Sequence, residues 1–146
     1  MLGVNFGAAT DVDVNKYPVI TYVEAVATSD TTTTSATDSL LNSMTITPLA
    51  GVYQVWFSTS GTNSSNGGIT YYSVYVGGTQ VASSERRVTS LIAGIVIGNA
   101  PNEVAVATQA LVSVNGSQAI EIRWRRSAGT STTHQRTLTV IKLASI

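Results

Sequence analysis

The sequence predicts an all-β protein, a two-sheet antiparallel sandwich or barrel, on three observations. Almost every patterned segment has a period of two and is rich in β-branched and aromatic residues. Turn signals made of Gly, Asn, Ser and Pro separate these segments at short intervals. No segment combines helical spacing with caps. At 146 residues with no internal repeat the chain reads as one domain, long enough to bury roughly 68–70% of its unfolded surface.

Residues 1–16, MLGVNFGAATDVDVNK, are rich in small residues and are expected to form a flexible N-terminal arm ahead of a domain at 17–146. Leu2, Val4 and Phe6 alternate with polar or small residues, the pattern of a strand that adds to another sheet. Strands are then expected at 17–27, 41–47, 51–60, 69–77, 80–86, 89–97, 104–114, 118–126 and 136–143. The hydroxyl-rich segments 28–39, 61–68 and 127–133 are read as loops, with the run Thr31–Thr34 a solvated one. Gly77-Gly78 and Asn115-Gly116 are two-residue hairpin signals.

The strand at 51–60, GVYQVWFSTS, is apolar on both faces. Val52 and Trp56 share one side, and Tyr53, Val55 and Phe57 share the other. A strand on the outside of a lone sandwich shows water a polar face, so a second copy of the chain is expected to cover this one. The strand at 104–114 sets Val104, Val106, Thr108, Ala110, Val112 and Val114 against Ala105, Ala107, Gln109, Leu111 and Ser113, whose small members let subunits approach closely. The strand at 136–143 likewise sets Leu138 and Val140 against Ile141 and Leu143. The expected core is Val52, Trp56, Val74, Val76, Ile120, Ile122, Trp124, Leu138 and Val140. The expected self-association surface is Tyr53, Val55, Phe57, Ala105, Ala107, Leu111 and Ile141. In IEIRWRR, Glu121, Arg123 and Arg125 share the face opposite Ile120, Ile122 and Trp124. They form either a solvated ion-pair ladder or an interface cluster reaching Glu85 or Glu103 of a neighbouring subunit.

Composition excludes several functions. Net charge is zero, 11% of residues are charged, and 21 Thr with 17 Ser supply the solvation. A nucleic-acid partner calls for an excess of Lys and Arg that this chain lacks. With no cysteine there is no thiolate chemistry or disulfide framework. The N-terminus lacks a signal-peptide pattern, and the longest nearly apolar run, 91–98, is too short to cross a bilayer. No membrane partner is expected, and synthesis is placed in the cytoplasm. The one histidine, His134, has no Gly-x-Ser-x-Gly elbow to serve. Asp11-Val12-Asp13 falls short of a calcium loop. The glycine clusters lack the lysine and helix of a phosphate cradle. No catalytic residue, metal or cofactor is therefore assigned, and the chain is not expected to be an enzyme. Asn63-Ser64-Ser65 and Asn115-Gly116-Ser117 match the glycosylation tripeptide but read as turn residues.

In their order, three pieces of the chain resemble the trimeric jelly-roll family of tumour necrosis factor and the globular heads of complement and collagen chains. PLAGVYQVWFS (48–58) resembles the family's Gly-x-Tyr strand, and YYSVYVGGTQVASS (71–84) the glycine hairpin that follows. VATQALVSVNGSQAIEIRWRR (106–126) with RTLTVIKL (136–143) resembles its last three strands. The resemblance covers roughly residues 17–143 and implies a tumour-necrosis-factor-like antiparallel jelly roll that forms a homotrimer. Similar domains occur in tailed-phage virions. With no collagen repeat, membrane anchor or cysteine in the chain, the reading is a capsid decoration, or cement, protein. It would bind the major capsid protein at the capsid surface, through an arm carrying Leu2, Val4 and Phe6. The alternative is the receptor-binding head of a phage tail fibre, or a module binding a glycan or protein through segments 28–39, 61–68 and 127–133.

Overall fold

The computed structural model describes residues 21–91 and 102–146. The expected arm with Leu2, Val4 and Phe6, residues 17–20 of the first expected strand, and residues 92–97 of the sixth lie outside the described residues. Ten strands follow one another: β1 (Tyr22–Ala27), β2 (Thr31–Thr33), β3 (Ser39–Ile46), β4 (Gly51–Asn63), β5 (Gly68–Val76), β6 (Thr79–Gln80), β7 (Arg86–Ser90), β8 (Val104–Val114), β9 (Ile120–Arg126) and β10 (Ser131–Ala144). The first sheet runs β1-β10-β4-β8, with β2 also on β10; the second runs β3-β9-β5-β6, with β7 on β5. Every pairing is antiparallel. The predicted two-sheet jelly-roll sandwich is the architecture found.

The core lies between the sheets. Tyr53, Val55, Phe57, Val112, Val114, Leu138 and Val140 come from the first, and Leu41, Met44, Tyr72, Val74, Ile120, Ile122 and Trp124 from the second. Phe57, Tyr72 and Trp124 form an aromatic column with centroid separations of 5.9 and 6.1 Å. Towards one end the filling turns polar. Asn63 Nδ2 donates to Ser131 Oγ (3.0 Å), Ser131 Oγ lies 2.6 Å from Thr70 Oγ1, and Thr59 and Thr133 hydroxyls meet at 2.7 Å. All five side chains are buried, which such groups tolerate because each has a partner. The buried Arg136 guanidinium donates from Nε to the Asn42 carbonyl (3.0 Å) and from Nη1 to the carbonyls of Ser29 (2.7 Å) and His134 (3.1 Å). It thereby pins β10, the β1–β2 turn and β3 together across the two sheets.

Several expectations need correction. Residues 51–60 have the opposite facing: Tyr53, Val55 and Phe57 fill the core, Val52 points outward, and Trp56 is 56% exposed. Register decides this. Tyr53, Val55 and Phe57 pair with Val112, Ala110 and Thr108 on one side and with Lys142, Val140 and Leu138 on the other, so the inward sides of three strands coincide. Tyr53, Val55 and Phe57 are therefore core residues and not a self-association surface. The threonine run is a strand, since Thr31–Thr33 pairs with Ser131–Thr133. The strand expected at 80–86 breaks after Gln80. Ser83 takes a φ of 62°, and the Ser84 hydroxyl accepts from Val74 N (3.0 Å) and donates to Val81 O (2.8 Å), replacing ladder bonds. Gly77-Gly78 makes the expected hairpin with φ values of 55° and 83°. Asn115-Gly116 does not, because β8 and β9 belong to different sheets. There the Asn115 side chain accepts from Ser117 N (3.0 Å), and the turn carries the chain across the sandwich.

Candidate functional site

The outer face of the first sheet can be built row by row from its register. Tyr22, Ile141, Gln54 and Leu111 lie side by side across β1, β10, β4 and β8. The next row is Glu24, Thr139, Trp56 and Gln109, and the third is Val26, Thr137, Ser58 and Ala107. Ala105 continues the face beside Ser60. Of these twelve positions Glu24 alone is charged, and its carboxylate accepts from Thr139 Oγ1 (3.0 Å). Trp56, Leu111, Tyr22 and Val26 are all more than half exposed. A groove of about 360 Å³ runs between the second and third rows, lined by Trp56, Ser58, Ala107, Gln109, Thr137 and Thr139, with Arg86 beside them.

The second sheet presents the opposite chemistry. Its outer face carries Glu121, Arg123 and Arg125 on β9, facing Tyr75, Ser73 and Tyr71 on β5. Arg123 binds Glu121 (2.8 Å) and lies over the Tyr75 ring at 4.6 Å. Arg125 bridges Asp38 (3.0 Å) and Glu85 (2.8 Å) and covers the Tyr71 ring at 4.0 Å. Burial opposes the Arg125 charge, but hydrogen bonds to Glu85 and Asp38 outweigh it and hold its pKa above the ordinary value. Burial, and then the Asp38 carboxylate that accepts the phenol's hydrogen bond (2.8 Å), push Tyr75 up. The expected ladder is present for Glu121 and Arg123. Arg125 finds its acids, Glu85 among them, within its own chain. Glu103 accepts instead from the Ser60 hydroxyl. One face of the sandwich therefore carries a single charge, Glu24, and is partly apolar, and the other is an ion-paired, water-facing surface.

Ala105, Ala107, Leu111 and Ile141, named from sequence, fall on the outer face of the first sheet. Trp56 at its centre was assigned to the core by sequence reasoning, and Glu24 was missed. The signal for Trp56 lay in the 104–114 strand, whose polar Gln109 and Ser113 mark the outer side that the register gives to Trp56 and Val52. The three hydroxyl-rich segments meet at one end of the sandwich. Ser64 N donates to Thr130 O (3.0 Å), Thr130 N to Ser64 Oγ (2.9 Å), and Arg126 N to Ser35 O (2.9 Å). His134 sits there too, its Nδ1 2.9 Å from Asp30 Oδ1. Among the described residues no group of three or more His, Cys, Asp and Glu side chains could hold a metal ion.

No protein-family model and no curated protein matches the sequence. Among solved structures, Eiger TNF from S. frugiperda matches with a TM-score of 0.52 at 13% identity, over 86% of this chain and 94% of that one. A structure of infectious bursal disease virus, Gx strain, gives a TM-score of 0.38 at 12% identity, over 89% of this chain and 37% of that one. The first likeness is one of fold: the sandwich is tumour-necrosis-factor-like.

Proposed function

We propose that the protein is a non-enzymatic structural component of a virion, a homotrimeric decoration or cement protein that binds the major capsid protein on a phage head. One observation carries the self-association at its centre: the outer face of the first sheet, with Glu24 its one charge and Trp56 exposed in the middle. A lone sandwich gains nothing from showing water an indole on a face nearly free of charge, whereas a partner copy would bury it in a core of the kind interfaces use. Capsid attachment rests on the sequence, through the family resemblance, the arm with Leu2, Val4 and Phe6, and a neutral hydroxyl-rich composition with little self-repulsion. The mechanism is burial without reaction. A protein that binds the assembled shell alone stabilises it by mass action. The reading places synthesis in the host cytoplasm and involves neither nucleic acid nor membrane.

Two measurements test it. Sedimentation at micromolar concentration should give about three times the 15.3 kDa chain mass, and a concentration-independent monomer overturns the trimer. Incubation with undecorated capsids followed by imaging should place the protein on the shell, and unoccupied shells overturn the cement role. The hydroxyl-rich segments 28–39, 61–68 and 127–133, joined by hydrogen bonds at one end of the sandwich, favour a second reading, a receptor-binding head whose Ser, Thr and Asn side chains contact a glycan or surface protein. Binding to host cells without binding to capsids would select it.

A further inference from the structure

The self-association face carries an unmatched charge at each of its two edges. Glu24 stands on β1, and its carboxylate accepts from a threonine hydroxyl and pairs with no cation among the described residues. Arg86 lies beyond β8, where it lines the same groove as Trp56, Ala107 and Gln109. Its Nη1 donates to the carbonyls of Ser83 (3.0 Å) and Glu85 (2.9 Å), and no carboxylate pairs with it among the described residues. Both side chains are exposed. Glu24 heads the row that continues through Thr139 and Trp56 to Gln109, at the Arg86 end of the groove. Three strand spacings separate β1 from β8, about 14 Å, far too great for an ion pair within one chain.

A ring of identical subunits joins one edge of each copy to the other edge of the next. Building on the trimer reading, we propose that Glu24 of one copy pairs with Arg86 of its neighbour at the rim of the Trp56 interface, and that this pair fixes which edges meet. Glu85, next to Arg86 in the chain, is engaged with Arg125, and Glu103, which like Glu24 meets only a hydroxyl, immediately precedes β8 and so stands at the same edge as Arg86, not the opposite one. A rim charge pair of this kind sets orientation and register more than it adds affinity. It suits a face that is otherwise uncharged and so gives little directional information.

The test is a charge-reversal cycle on the full chain, read by sedimentation equilibrium with circular dichroism melting to confirm the fold. Glu24→Arg and Arg86→Glu are each expected to weaken assembly about tenfold or more, because each sets like charges against one another. The double variant is expected to return to within about threefold of the parent. A double variant no better than the product of the singles overturns the pair. Rescue of Arg86→Glu by Glu103→Arg overturns it as well, by giving Arg86 another partner. A trimeric parent without rescue removes this pair alone, whereas a parent that stays monomeric removes the self-association reading and the pair with it.

Discussion

Replacing Trp56 by alanine separates assembly from folding in a way few positions here allow. The side chain is 56% exposed on the outer face, so its loss leaves no cavity between the sheets, and the isolated fold should lose only what the covered part contributes, about 1–2 kcal/mol. A tryptophan carries up to about 250 Å² of surface, which leaves about 140 Å² for a partner to cover. At ~25 cal/mol per Å² that is ~3.5 kcal/mol per copy as an upper bound. Alanine keeps a small part of it, so the expected loss is about 2–3 kcal/mol, or about 30- to 150-fold in the dissociation constant. Fluorescence gives the assay, because the second tryptophan, Trp124, is 2% exposed inside the sandwich and serves as a constant reference. On dilution the emission of the parent should shift to the red as Trp56 meets water, while Trp56→Ala should show the fixed Trp124 signal. Unchanged sedimentation of Trp56→Ala, or parent emission that stays constant while the assembly dissociates, would refute the argument.

Arg136→Met leaves the Asn42 and Ser29 carbonyls without their cationic donor, and denaturant unfolding should show a loss of about 2–4 kcal/mol, partly recovered by Arg136→Lys. Burial raises the Tyr72 phenol above its ordinary 10.0. The folded state thus favours the neutral form, and this contribution is complete below pH 10 and lost as pH rises through the raised value. The melting temperature should fall above pH 10, and Tyr72→Phe should flatten that fall. Deleting residues 1–16 should leave trimer melting nearly unchanged yet sharply reduce occupancy on undecorated capsids; equal occupancy would assign the contact to the loops or a sheet face. The Glu24 and Arg86 reversals should each dissociate the trimer and together restore it.

Fold class was legible because period two, β-branched content and turn residues agree along the chain. The 104–114 strand has the same limits in sequence and structure, since its alternation of Val with small or polar residues leaves one choice of face. The 51–60 strand was not legible in the same way, because Val52 and Trp56 compete with Tyr53, Val55 and Phe57 on equal terms. When both faces are apolar, pattern cannot choose, and pairing with β8 and β10 decides. The threonine strand β2 escaped notice because its pairing is with residues about a hundred positions away, and a run of one residue type has no alternation to read. The break at Ser83–Ser84 depends on a side-chain hydroxyl entering a backbone ladder, which no local propensity reports. The arginine and glutamate spacing in IEIRWRR gave the Glu121–Arg123 pair directly. The acids that hold Arg125 come from Asp38 and Glu85, far off in sequence.

Strand β10 is the hub of the first sheet, bound along its length to β1, β2 and β4. Its contacts with β1 join residues such as Tyr22 and Ile141, so on the ribosome β1 and β2 emerge long before any partner exists for them. Folding of this sheet must wait for β10 and close large loops, which makes it slow and leaves strand edges open meanwhile. The same delay has a protective side. Thr137, Thr139 and Ile141 of β10 form the middle of the face we propose for self-association, so that face does not exist on a chain still being made. On that proposal, nascent chains crowded on one message are kept from nucleating assembly until each has closed its own sheet.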